Sequence, residues 1–328
     1  MIIAGDIGGT KTNVALFESD EKGVGAPLAQ KSFPSAQYDS LDAILKQYVE
    51  ENAAKNITHA CFGIAGPVVE GRVETPNLAW IVESKKLATQ LGVERVKLIN
   101  DLEATAAGIE ALQANQLFTL NEGDTARGGN RALIAAGTGL GMAGIILREN
   151  GRYQPLASEG GHMDFAPRNE MEMELLRYLF EKFGAHVSYE RALSGPGLFN
   201  VYSFLRDKKH GEEPDWLRAE IEGGGNKTAA VSGAALSGKS ELAVKALDLF
   251  TSIYGAMAGN LSLMMVATGG LYMGGGIAPK IIEKLKDGTF MAAFKDKGRF
   301  NAFNAAVPVH VILDDKTALY GAARSALY

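Results

Sequence analysis

Three glycine-rich clusters give this chain residues suited to holding phosphate. They are Gly5-Asp6-Ile7-Gly8-Gly9-Thr10, Ala136-Gly137-Thr138-Gly139-Leu140-Gly141 and Gly274-Gly275-Gly276-Ile277. Glycine lets a backbone approach a phosphate closely, and successive N–H groups form an anion-binding nest. The hydroxyls of Thr10 and Thr138 add two donors. Asp6 offers a carboxylate to Mg²⁺, directly or through water, because magnesium prefers carboxylate and water oxygens. Two such turns could clasp a triphosphate between them. Taken singly, each is equally an ordinary tight turn. Lys11 reads as a phosphate partner or as a surface lysine with equal weight.

Proton transfer has one well-placed candidate. Asp101 follows the expected strand Val96–Ile99 and Asn100, where that strand is expected to give way to a helix. A carboxylate there can orient a hydroxyl and take its proton late in a phosphoryl transfer. Aspartate at that point also caps a helix, and position alone favours the cap. On residue type alone, Glu190 reads as a solvated charge at a helix start and His162 as a turn histidine.

The elements that must carry these residues follow from the apolar patterning. Residues 1–17 read as strand, glycine turn, strand. A helix is expected over 41–54 with Ser40 or Asp42 as cap, then strands over His59–Ile64 and Val96–Ile99. Strand Arg131–Ala136, the glycine turn and strand Met142–Leu147 repeat the opening plan. Helices near 169–183, 188–206 and 239–267, strands Gly270–Met273 and Val307–Leu313, and a helix over Thr317–Leu327 complete an α/β pattern. The segment 207–238 is the least patterned and is expected as surface loop.

Two motif matches point elsewhere. Residues 233–240 fit the phosphate-loop pattern Gly-x₄-Gly-Lys-Ser, but that loop needs a buried strand before it. The preceding alanines read as helix or loop, so the match is by chance. Gly139-x-Gly141-x-x-Gly144 fits the dinucleotide fingerprint, but the turn leads into β-rich residues rather than a helix.

Bulk properties exclude several classes. The chain has 328 residues, 46% hydrophobic and 22% charged, enough for two cores rather than one. A formal net charge of −5 gives no bulk attraction to nucleic acid or anionic membrane. The single cysteine, Cys61, lies in an apolar run and permits neither an internal disulfide nor a cysteine zinc cluster. No secretion signal or membrane-spanning run is recognised, so the cytoplasm is the expected compartment.

The ordered motifs resemble one family. The three glycine clusters resemble the two phosphate motifs and the adenosine motif of the hexokinase, actin and Hsp70 superfamily. Four further segments are similar to the bacterial glucokinases outside the ROK group: residues 98–104 around Asn100-Asp101, 159–167 beginning Glu-Gly-Gly-His, 189–198 containing Ser-Gly-Pro-Gly-Leu, and 290–303. The resemblance runs from residue 2 to about 327. The ROK kinases share Asp-Ile-Gly-Gly-Thr-Lys-Thr, here at 6–12, but usually carry a zinc-binding cysteine cluster that this chain lacks. With the first phosphate motif starting at residue 5, the DNA-binding helices of ROK repressors are not expected.

The resemblance implies a two-domain actin-like, ribonuclease H-like ATPase fold with an interdomain cleft. The small α/β domain would be residues 1–110 plus 313–328, and the large one 111–312. It implies phosphorylation of D-glucose to glucose 6-phosphate by ATP with Mg²⁺, with Asp101 as base for the 6-hydroxyl. Asn100, Asp101, Glu159, His162 and Glu190 would contact the sugar. Gly5, Asp6, Ile7, Gly8, Gly9, Thr10, Gly137, Thr138, Gly139 and Gly275 would hold the nucleotide, and Asp6 the metal. A homodimer is expected. The alternatives are a kinase for mannose, fructose or N-acetylglucosamine, a non-catalytic sugar sensor, and an actin-like filament ATPase. ADP or polyphosphate are the alternative donors. Asp101 argues against a sensor, and a filament has no use for Glu159, His162 and Glu190.

Overall fold

The computed structural model describes residues 1–20, 23–75 and 78–328. In chain order the first elements are β1 (Ile2–Ile7), β2 (Lys11–Asp20), β3 (Gly23–Pro34), α1 (Leu41–Glu51), β4 (His59–Ile64), β5 (Arg72–Glu74), β6 (Ile81–Glu83), α2 (Ser84–Leu91), β7 (Val96–Asn100) and α3 (Asp101–Gly108). Next come β8 (Leu117–Asn121), β9 (Arg131–Ala136), β10 (Leu140–Leu147), β11 (Tyr153–Ser158), α4 (Glu170–Phe183) and α5 (Gly195–Asp207). The chain continues with α6 (Asp215–Glu222), α7 (Lys227–Leu236), α8 (Glu241–Met265), β12 (Leu271–Gly274), α9 (Ile282–Leu285), α10 (Thr289–Lys295), α11 (Asn301–Ala305), β13 (Val309–Ile312) and α12 (Thr317–Ser325). This is an α/β protein with mixed sheets. No helix of the described residues is long and apolar enough to cross a membrane.

Contacts divide the chain into two units. One comprises Met1–Gln116, Arg152–Ala157 and Asp314–Tyr328, and the other Leu117–Gly151 and Ser158–Leu313. In the first unit five strands run in the order β3-β2-β1-β4-β7. β1 pairs antiparallel with β2 and parallel with β4, and β4 pairs parallel with β7. In the second unit β9 pairs antiparallel with β10 and parallel with β12, and β12 pairs parallel with β13. The hairpin-then-parallel plan is thus built twice, and each of the first two glycine clusters is the turn of its hairpin.

The first sheet is covered on both faces. One core joins Ile3, Val14 and Phe62 to Leu41, Ile44, Leu45 and Tyr48 of α1 and Leu87 of α2. The other joins Ile2, Ala4, Phe17, Cys61 and Ile99 to Ala104 of α3 and Leu319 and Ala322 of α12. Central strands are apolar where both faces are packed, which is why Ile2–Ala4 of β1 and Ala60–Ile64 of β4 show no alternation. Burial pushes the Cys61 thiol up to about 12, so it is a packing group rather than a nucleophile. α1 starts where Ser40, one of the two expected cap candidates, accepts the Ala43 N–H.

Two expectations are corrected, and one long strand was not foreseen. The strand Gly23–Pro34 was not expected, because its residues are mixed in polarity and line an edge. The helix expected over 188–206 begins at Gly195, where Ser194 accepts the Gly197 N–H and Pro196 fills the first turn. The segment 207–238 is not simply loop: α6 and α7 bury Leu217, Ile221, Ala230 and Val231 in the second unit's core. Each is short and small-residue or charge rich, so neither gives a strong periodic signal. Gly233 of the phosphate-loop match lies inside α7, and Ser240 caps α8 by accepting the Ala243 N–H, so that match is a helix–turn–helix join.

Candidate active site

In the first unit β1, β4 and β7 are mutually parallel. Ile7 is in register with Ile64, and Ile64 with Asn100. Their carboxyl ends therefore share one sheet edge, where open α/β sheets bind ligands. That brings together the turn after β1, the segment after β4 and the start of α3. Asp6 and Asp101 become neighbours in this way.

Asp6 is half-buried, and its acid is raised to about 6. Desolvation is the main cause, the Asn13 amide opposes it from 3.4 Å, and the charge of Asp101 adds to it. Register places Asn13 directly opposite Asp6 across the hairpin. Lys11 pairs with exposed Asp315 at 3.4 Å, a weak contact on the surface.

The first glycine turn is tied down through its carbonyls. The buried Ser35 hydroxyl donates to the Gly8 carbonyl at 2.7 Å and lies 3.0 Å from the Thr12 hydroxyl. The Ser35 N–H donates to the Thr10 carbonyl at 3.1 Å. The Gly8 N–H is taken by the Lys11 carbonyl at 3.0 Å, so an anion at this turn would be met by its remaining amides. Sequence reasoning missed Ser35, Asn13 and Asp315. Only Asn13 carries a signal, being a polar residue at a buried strand position.

Asn100 ends β7 and closes α3. Its Oδ1 accepts the Leu102 N–H at 2.9 Å, and its Nδ2 donates to the Gly66 carbonyl at 3.2 Å. Asp101 is the first residue of α3, and its Oδ1 accepts the same N–H at 2.9 Å.

The second unit gathers Glu159, His162 and Glu190 around Leu140, the residue after Gly137-Thr138-Gly139. Glu190 Oε2 accepts the Leu140 N–H at 2.9 Å. Gly161 lies so close to the Leu140 carbonyl that a Cβ there would sit 1.8 Å from its oxygen, so only glycine fits. The segments around His162 and Glu190 run side by side: Tyr189 N–H donates to the Met163 carbonyl at 2.9 Å and Phe165 N–H to the Val187 carbonyl at 2.8 Å. Exposed His186 bridges them, with Nε2 3.0 Å from the His162 carbonyl and Nδ1 3.0 Å from Asp164. Nothing in the spacing of His186 along the chain points to this contact.

β9 and β12 end at the same edge, so Gly275 lies beside the second turn. The Ile277 N–H donates to the Ala136 carbonyl at 3.1 Å. The Gly195 N–H donates to the Gly137 carbonyl at 2.8 Å, and Thr228 Oγ1 to the Gly195 carbonyl at 2.7 Å. The structure thus places Asp6, the first turn, Asn100 and Asp101 together in one unit. It places the second turn, Gly275, Glu159, His162 and Glu190 in the other.

The donor set can be tested against magnesium. Among the described residues no three His, Cys, Asp or Glu side chains cluster as a metal cage. A partly desolvated carboxylate beside a phosphate-type turn fits an ion that takes most of its ligands from water and phosphate.

Comparison with known proteins decides the family. A model of the glucokinase family matches residues 3–327. The chain belongs to the glucokinase family. It is 40% identical over 335 residues to the glucokinase of Nostoc sp. (strain PCC 7120 / SAG 25.82 / UTEX 2576), covering 98% of each chain. It is 36% identical over 319 residues to that of Erwinia tasmaniensis, covering 97% of this chain and 94% of that one. Among solved structures, a glucokinase from an Antarctic psychrotroph superposes with a TM-score of 0.85 at 29% identity, covering 99% and 98%. A ROK family glucokinase from Streptomyces griseus in complex with glucose and AMPPNP shares the fold, at TM-score 0.63 and 24% identity, covering 99% of both. A glucokinase-family chain is an enzyme, a kinase of glucose, and the alternatives of a sensor or a filament fall away.

Proposed function

We propose that this glucokinase-family chain transfers the γ-phosphoryl group of ATP to the 6-hydroxyl of D-glucose, with Asp101 as base. The observation that supports Asp101 most is its placement at the carboxyl end of β7, in the field of Asp6, with only β4 between β7 and the strand that leads into the first glycine turn.

The reaction needs positioning, charge neutralisation and an oriented nucleophile. Asp101 holds the sugar hydroxyl by its hydrogen. As O6 bonds to the γ-phosphorus, the bond from phosphorus to the bridging oxygen breaks, ADP leaves with that electron pair, and the O6 proton passes to Asp101. Magnesium, held by Asp6 directly or through water, would neutralise phosphate charge. Amides and hydroxyls of Gly5 to Thr10 and of Gly137 to Gly139 cradle the phosphates, with Gly275 beside the adenosine. Asn100, Glu159, His162 and Glu190 bind the other hydroxyls. A site that pairs each hydroxyl disfavours analogues lacking one, because polar groups that bound sugar desolvates would be left unpaired.

In this reading the fold is of the actin-like two-domain kind. The small domain is residues 1–110 plus 313–328, the large one 111–312, and closure over the sugar excludes water. The protein works as a cytoplasmic homodimer.

A coupled ADP-release assay across a panel of hexoses, run on the parent and on Asp101→Ala, tests this. Glucose-dependent turnover is expected in the parent, with almost none in the variant. Turnover without sugar, a preference for mannose, fructose or N-acetylglucosamine, or an unimpaired variant would overturn it.

A further inference from the structure

We infer that Glu190 is a positioning residue for the second glycine turn, and that sugar binding and nucleotide binding are coupled through it. This rests on the reading above, in which the turn holds phosphate and Glu190 meets the sugar.

The turn is gripped from one short segment. At one end Glu190 Oε2 accepts the Leu140 N–H at 2.9 Å. At the other the Gly195 N–H donates to the Gly137 carbonyl at 2.8 Å. Between them Ser194 Oγ donates to the Glu190 carbonyl at 2.8 Å, which fixes the segment itself. A hydrogen bond from a backbone N–H to a carboxylate is of the stronger, charge-assisted kind.

Gly139 carries an independent mark of the same contact. A Cβ on Gly139 would lie 2.6 Å from Glu190 Oε2, with no other atom within 3.4 Å. Its backbone is not left-handed, so conformation does not demand glycine there. Glycine instead leaves the Glu190 carboxylate its place at the Leu140 N–H, which a Cβ would displace. A carboxylate has about four acceptor positions, enough for Leu140 and a sugar hydroxyl together. A hydroxyl that immobilises the carboxylate thereby immobilises the turn, and linkage makes the effect reciprocal.

The test is calorimetric titration with a non-hydrolysable ATP analogue and Mg²⁺, with and without saturating glucose, on the parent, Glu190→Ala, Glu190→Gln and Gly139→Ala. In the parent, glucose is expected to tighten analogue binding about fivefold or more. Glu190→Ala should weaken the analogue about tenfold even without glucose and abolish the tightening. Glu190→Gln, whose amide oxygen can still accept from Leu140, should restore analogue binding to within about threefold. Gly139→Ala, which only pushes the carboxylate aside, should weaken glucose about fivefold although Gly139 belongs to the phosphate turn. Unchanged melting temperatures exclude misfolding. Analogue binding equal in parent and Glu190→Ala, or no tightening by glucose in the parent, would overturn the inference. A parent that binds the analogue but phosphorylates no glucose overturns the functional reading instead. In that case the comparison without sugar still decides whether Glu190 positions the turn.

Discussion

Asn100 and Asp101 aim side-chain oxygens at one donor, the Leu102 N–H, each at 2.9 Å. Asn100 is the residue that stands outside the helix in extended conformation, and it also holds the Gly66 carbonyl. The amino end of α3 is therefore capped without Asp101.

The two residues should separate stability from catalysis. Asp101→Ala is expected to lower kcat by about 10²–10⁴ and to change unfolding free energy by less than about 1 kcal/mol. Asn100→Ala loses the cap and the bond to Gly66, and should cost about 1–2 kcal/mol. Urea unfolding and turnover measured on both variants decide it. If Asp101→Ala is the more destabilised of the two, its position is structural.

Asp6 is expected to trade stability for function. Its acid is raised from 3.8 to about 6, chiefly by desolvation. A raised carboxyl favours the protonated folded state, so its contribution is fully present below about pH 4 and is lost as pH rises through 6. At pH 8 the ionised Asp6 costs the metal-free protein about 2–3 kcal/mol. Asp6→Asn should therefore unfold at higher urea than the parent at pH 8 in EDTA, with the gap closing towards pH 4. The same variant should lose most Mg·ATP-dependent turnover. An equal gap at both pH values would show that the carboxyl is not the cause.

Ser35 should matter to the nucleotide although it lies outside the turn. Ser35→Ala removes the donor to the Gly8 carbonyl and leaves the Thr12 hydroxyl without its 3.0 Å partner. A loss of about 1–3 kcal/mol in stability is expected, with a several-fold rise in KM for ATP and little change in KM for glucose. Equal effects on both substrates would mean general loosening rather than a displaced turn.

Much of the fold was legible along the chain. The apolar runs Ile2–Ala4 in β1 and Ala60–Ile64 in β4, the glycine turn between β1 and β2, and the Ser40 cap are local patterns that need no distant partner. The edge strand β3 and the helices α6 and α7 were not legible. Edge strands and short helices take their stability from what they pack on rather than from their own periodicity. Asp101 shows the limit at the site. Residue type and spacing equally described a cap, and the existence of a better cap at Asn100 is a matter of backbone angles.

The sequence by itself determined which residues can do chemistry and the family that uses them, because glycine turns, strand ends and ordered motifs are written in consecutive residues. It also determined that each half of the chain opens with the same strand–turn–strand plan. Tertiary structure alone decided which of those residues share a site. Parallel register carries Asp101 to Asp6, Ser35 reaches back to Gly8, and the Glu190 carboxylate occupies the space a side chain at Gly139 would take. Those distances depend on how strands pair and loops pack, contacts between residues far apart in sequence that no local pattern encodes.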